Sequence, residues 1–135
     1  MTGAEKIRAA AKRILGRMEA FKTGLAAPEG LMEVIGVYDA PDGPGPVWVT
    51  ATGLLLPNGH ALETLHYVRM REVHAPASKD VGNPECARVR VVLDDGRTVT
   101  LNIVGGRGRF CDSFEFARFL ARASKFAQER SATPE

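Results

Sequence analysis

Apolar side chains recur at Ile7, Ala11, Ile14, Leu15, Met18, Phe21 and Leu25, three and four residues apart. That is the spacing of a single stripe along an α-helix, and it predicts a helix over residues 4–25 of about six turns. Gly24, Pro28 and Gly30 are the residues expected to end it. From residue 31 the period shortens to two. LMEVIGVY (31–38) is rich in β-branched and aromatic residues and predicts a strand. DAPDGPGP (39–46) is a stiff turn region, and VWVTATGLLL (47–56) predicts a strand broken or bulged at Gly53. Pro57-Asn58-Gly59 is a hairpin turn, since Asn and Gly tolerate positive φ, and ALETLHYV (61–68) returns antiparallel. RMREVHA (69–75) fits either a short strand or a single turn.

A polar loop, APASKDVGNPEC (75–86), separates these elements from two clean strands. In ARVRVVL, Val89, Val91 and Leu93 share one face and Arg88 and Arg90 the other; in TVTLNIV, Val99, Leu101 and Ile103 oppose Thr98, Thr100 and Asn102. Asp95-Gly96 joins the two strands as a tight hairpin. One wet and one dry face mark an antiparallel sheet. From residue 112 to about 129 the helical period returns. Its apolar stripe is Phe116, Phe119, Leu120, Ala123, Phe126 and Ala127. The expected fold is α+β: an N-terminal amphipathic helix and linker (1–30), then an antiparallel domain over 31–130 closed by a C-terminal helix. Its sheet is expected to be strongly bent or a partly open barrel.

Length and composition fit a single globular unit: 135 residues, 44% hydrophobic and 25% charged, with a formal net charge of +2. So small a net charge gives no argument for nucleic acid. The N-terminal segment lacks the apolar core of a signal peptide, so a cytoplasmic location is expected. Charge is unevenly placed. Lys6, Arg8, Lys12, Arg13, Arg17 and Lys22 face only Glu5 and Glu19 in the first helix, whereas Thr23 through Val68 contain no Lys or Arg. Lys6, Arg13 and Arg17 mark a basic helix face, which suits an acidic membrane or partner surface.

Taken together, VWVTATGLLL, LHYVRMREV, VRVVLDDGRTVTLNI and FEFARFLARA resemble the bacterial pleckstrin-homology-like (PH-like) domains. The likeness spans residues 31–127. It implies a bent antiparallel sheet or barrel, a closing helix, and a role in binding. Two features depart from that family. Its familiar tryptophan lies in the C-terminal helix, whereas Trp48 lies in a strand, and the first hairpin, basic in phosphoinositide-binding members, is here acidic (Glu29, Glu33, Asp39, Asp42, Glu63). Binding of a phosphoinositide headgroup at the usual place is therefore not expected.

Few residues suggest chemistry. Gly106-Arg107-Gly108-Arg109-Phe110-Cys111 places cysteine where a dinucleotide fingerprint needs its third glycine, and no Walker sequence occurs. Asp112 with Glu115 reads as a capping box, whose carboxylates oppose a phosphate. Arg107 and Arg109 remain as contacts for an acidic partner or anion. His60, His66 and His74 do not assemble a metal site by spacing, although His66 and His74 fit one face of an extended strand. Cys86 and Cys111 read as free thiols. Cys111, before a helix and between arginines, is the one candidate nucleophile, but it has no identified base. No cofactor, metal or catalytic set is expected. The leading expectation is a non-catalytic protein-interaction or scaffold module, self-associating through the N-terminal helix or binding an unidentified protein. Three alternatives stay open: an anionic-membrane binder using the basic helix, a small-ligand protein or enzyme with Cys111 or His66 in a concave sheet, and a secretion-chaperone-like adaptor.

Overall fold

The computed structural model describes residues 2–23, 34–40, 45–58, 61–80, 83–105 and 112–132. It is α+β, with an N-terminal helix, two antiparallel sheets and a C-terminal helix. Helix α1 spans Gly3–Ile14, with the Thr2 hydroxyl accepting the Glu5 N–H at its start. It is shorter than the periodicity predicts. The chain tightens into a 3₁₀ turn at Leu15–Arg17, becomes extended at Met18, and forms strand β1 at Phe21–Lys22. Gly16 weakens the helix at the point where it tightens. Ile7, Ile14, Leu15, Met18 and Phe21 are nevertheless all buried, so the stripe lines the core although its last members are not helical.

Strands β1, β2 (Val34–Tyr38), β3 (Val47–Thr50), β4 (Gly53–Asn58) and β5 (Ala61–His66) form a five-stranded meander in sequence order. The stretch 47–56, expected as a strand broken or bulged at Gly53, is a hairpin in which β3 ends at Thr50 and β4 begins at Gly53, with Trp48 opposite Leu55 and Val49 opposite Leu54. Thr50 makes the turn. Its hydroxyl accepts the N–H groups of Thr52 (3.2 Å) and Gly53 (3.0 Å) and donates to the Gly53 carbonyl (2.8 Å). Gly53 is needed for close approach, because a Cβ there would lie 2.5 Å from the Leu65 carbonyl oxygen. The β4–β5 pairing runs to Asn58 opposite Ala61, and the predicted turn residue Gly59 lies outside the described residues.

Tyr67–Arg69 form a 3₁₀ turn that ends this sheet. The second sheet is β6 (Met70–His74), β7 (Arg88–Leu93) and β8 (Thr98–Asn102), in sequence order. Residues 70–74, left open by the pattern, are thus a strand. The strands form two separate sheets rather than a closed barrel. Pro84–Ala87, of which the first three were expected in a polar loop and Ala87 in the following strand, make a 3₁₀ turn capped by Asn83, and Cys86 is buried. Helix α2 spans Asp112–Ala132.

The bonds from Ile103 N–H to the Ala87 carbonyl and from Leu93 N–H to the Arg97 carbonyl bracket the β7–β8 ladder. In an antiparallel pair, bonded and non-bonded positions alternate. Leu101 and Val99 therefore exchange bonds with Val89 and Val91, while the backbone groups of Thr98, Thr100 and Asn102 point away from β7. This register makes a checkable distinction. Leu101→Pro removes a ladder bond in the core and is expected to cost about 3 kcal/mol or more, while Thr100→Pro costs about 1 kcal/mol. Urea denaturation of the two variants tests this, and equal losses contradict the register.

Candidate partner-binding surfaces

Four aromatic rings join α2 to the five-stranded sheet and to the turn between the two sheets. The Phe116 ring meets Tyr38 of β2 edge-on at 5.7 Å between centroids, Phe119 meets Tyr67 at 5.9 Å, and the two phenylalanines stand 6.4 Å apart. The Tyr67 hydroxyl donates to the Thr50 carbonyl at 2.8 Å. Complete burial raises the Tyr67 pKa well above its ordinary value. At the far end of α2, the Gln128 amide donates to the Met70 carbonyl at 2.6 Å.

The start of α2 is fixed by a buried polar ring. The Tyr38 hydroxyl donates to Asp112 Oδ2 (2.9 Å) and accepts the Gly105 N–H (2.9 Å), while the Asp112 N–H donates to the Gly105 carbonyl (3.2 Å). The Ser113 hydroxyl donates to the Cys86 carbonyl. The predicted capping box with Glu115 is thus replaced: Asp112 reaches for a tyrosine 74 positions away, and Glu115 pairs with Arg118 at 3.4 Å. Burial raises the Asp112 pKa, and the nearby Glu19 charge adds to this against the Tyr38 hydrogen bond. Tyr38 is raised too, chiefly by burial and then by Asp112. No buried side-chain nitrogen or oxygen among the described residues lacks a partner, and this ring has the character of a structural latch.

Helix α1 packs along α2, and both line the same buried cluster as the sheets. Lys6 Nζ lies 5.6 Å from the Phe126 ring centroid, while Glu19 acts on Asp112 at the other end of α2. The two helices are therefore antiparallel. Ile7, Ala10, Ala11 and Ile14 are buried, and Lys6, Lys12, Arg13 and Arg17 are exposed. Arg118, Arg122 and Lys125 are exposed on α2. Among the described residues, no carboxylate lies within ion-pair distance of Lys12, Arg13, Arg17, Arg122 or Lys125. The predicted basic face is therefore solvent-facing at Lys6, Arg13 and Arg17, with Arg17 in the 3₁₀ turn.

Several charges elsewhere on the surface are paired within the chain. Glu85 accepts from Arg88 (2.6 Å) and Arg90 (2.8 Å), and these hydrogen bonds, Arg90's foremost, hold its carboxyl below the usual range. Arg69 bridges Asp94 and Asp95, each at 3.1 Å, beside the β7–β8 turn, and Arg97 meets Asp95 at 3.0 Å. Such exposed pairs orient side chains and add little stability.

Arg107, Arg109, Cys111 and His60 lie outside the described residues. His66 ends β5 and His74 ends β6, so the two stand in different sheets rather than on one strand. His74 lies 3.8 Å from Glu72. No cluster of metal-ligating side chains occurs among the described residues, and no helix there is long and apolar enough to cross a membrane. The Tyr38–Gly105–Asp112 latch has no signature in the sequence, because its members are local to nothing but each other. Comparison with family models, curated proteins and solved structures found no match to the chain.

The latch makes two predictions. A Cβ on Gly105 would stand 2.5 Å from the Tyr38 hydroxyl oxygen and 2.7 Å from Asp112 Oδ2. Gly105→Ala is therefore expected to cost about 2 kcal/mol, and Tyr38→Phe about 1–3 kcal/mol by orphaning the Gly105 N–H. Both are read from urea midpoints. The second concerns pH. A carboxyl whose pKa is raised by folding contributes stability below its unfolded pKa and loses it as pH rises through the folded one. The Asp112→Asn variant should gain on the wild type as pH rises from about 4 to about 7, whereas a constant difference would show that Asp112 does not titrate in this way.

Proposed function

We propose that the chain is a non-catalytic interaction module, PH-like in plan, that receives an acidic protein segment on the outer side of its helix pair. The observation that carries this reading is the division of α1. Its apolar stripe is spent inside the molecule, leaving Lys6, Lys12, Arg13 and Arg17 outward, while Arg122 and Lys125 are exposed on α2, along which α1 packs. Guanidinium groups present planar forks that match carboxylates. The PH-like plan is supported by the order of elements: one meander, a second meander, and a closing helix over both.

The same division weighs against two alternatives. A helix whose apolar stripe is buried has nothing to insert into a bilayer, and Val68 is the one large apolar residue exposed among the described residues. Pairing of two copies through that stripe meets the same obstacle.

Fluorescence anisotropy with a labelled Glu/Asp-rich peptide of about twelve residues tests the proposal. Saturable binding is expected at about 50 mM salt and should fade by about 500 mM. Arg13→Glu with Arg17→Glu should weaken binding at least about fivefold. Absence of binding at low salt contradicts the proposal, as does tighter binding to anionic vesicles or duplex DNA than to the peptide.

A further inference from the structure

The open edge of the three-stranded sheet is a second surface, independent of the helices. Strand β8 pairs with β7 alone among the described strands, and Thr98, Thr100 and Asn102 are exposed. Their backbone N–H and C=O groups face outward by the register derived above, and no described residue bonds to them. Edge strands of soluble proteins are usually guarded by a lysine, a proline or a bulge. The sequence TVTLN has none of these: it is uncharged, rich in β-branched residues, and pairs with β7 without a register shift.

The other edge of this sheet is protected. Strand β6 carries Arg71 and Glu72, is bulged between Met70 and Glu72, and has its Met70 carbonyl capped by Gln128 of α2. Within this sheet, edge-to-edge association is therefore directed to β8.

We propose that β8 is the site at which two copies of this chain pair, antiparallel and about a two-fold axis at Thr100. The sequence is suited to itself in that arrangement. Thr100 faces Thr100 of the second copy, Thr98 faces Asn102, and no like charges oppose each other. Half-buried Val99 and buried Leu101 extend the apolar side of each sheet toward the partner. The nearest cations on the outer side, Arg88 and Arg90, stand one strand back and are held by Glu85. The product is a continuous six-stranded sheet. Five residues of edge bury little area, so the dimer is weak, forming in the range of about 10–100 µM.

Sedimentation velocity of the full chain from about 1 to about 500 µM tests this. The wild type should shift from monomer to dimer across the range. Thr100→Lys and Thr100→Glu should each stay monomeric, because each sets like charges against each other at the axis, and an equimolar mixture should restore the dimer. Thr100→Pro should also remain monomeric while keeping its cooperative unfolding. Hydrogen exchange at residues 98, 100 and 102 should slow with concentration in the wild type alone. A wild type that stays monomeric at about 500 µM overturns the proposal, and so does a dimer that survives Thr100→Lys. Loss of the dimer in Arg13→Glu/Arg17→Glu but not in Thr100→Lys would overturn it too, moving the contact to the helices. Because the peptide assay reads the helix pair and sedimentation reads the strand edge, either reading can fail without the other.

Discussion

The fold depends on the edge-on row of rings Tyr38, Phe116, Phe119 and Tyr67. Tyr38 belongs to the five-stranded sheet, and Tyr67 lies in the turn between the sheets. The two phenylalanines are one helical turn apart on α2, so a single rigid element meets both. Each tyrosine also carries a hydroxyl that reaches a further element, Asp112 in one case and the Thr50 carbonyl in the other. The row thus combines apolar burial with directional bonds.

Helix α1 completes the layer. Ala10 and Ala11 are fully covered, and such small side chains allow close approach of helix backbones. What α1 contributes inward is therefore apolar and compact, and the cations Lys6, Lys12 and Arg13 are among the residues it leaves outward. The meander β2–β5 has the opposite character, since the chain has no Lys or Arg between Thr23 and Val68. Charge is sorted between layers, which gives the molecule a basic helical side without a large net charge.

Much of this layout can be read in the sequence, and the failures have physical causes. Alternation in ARVRVVL and TVTLNIV identified both strands, their buried faces and the Asp95-Gly96 turn, because side-chain direction in a strand is a local property. The stripe from Ile7 to Phe21 identified core residues correctly but not their conformation: a buried stripe is required of helix, 3₁₀ turn and strand alike, and Gly16 marks where one gives way to the next. VWVTATGLLL concealed a turn because Thr50 makes it with its own hydroxyl, without the Asn-Gly or Pro-Gly pairs that usually announce one. The exposure of Lys6, Arg13 and Arg17 was legible from the helical period, although Arg17 lies in the 3₁₀ turn after the helix. The β8 edge was not, since alternation gives the face of a strand and says nothing of which neighbours it lacks.

Asp112 shows how a local reading and a tertiary one differ in chemistry as well as in geometry. By sequence it caps a helix, and an ionised carboxylate there neutralises the positive end of the helix dipole. In the fold its oxygen is turned to the Tyr38 hydroxyl, its surroundings are partly dry, and Glu19 stands near enough to act on it. Burial and a like charge both favour the protonated form, whereas the dipole and the phenol favour the ionised one. The latch can hold in either state, because a tyrosine hydroxyl donates to a carboxylate and also to the carbonyl oxygen of a carboxylic acid. What changes with protonation is the charge at the root of α2. The same residue that fixes the helix in place thus sets the local field at its start, and it does so through a contact that neither end of the chain reveals alone.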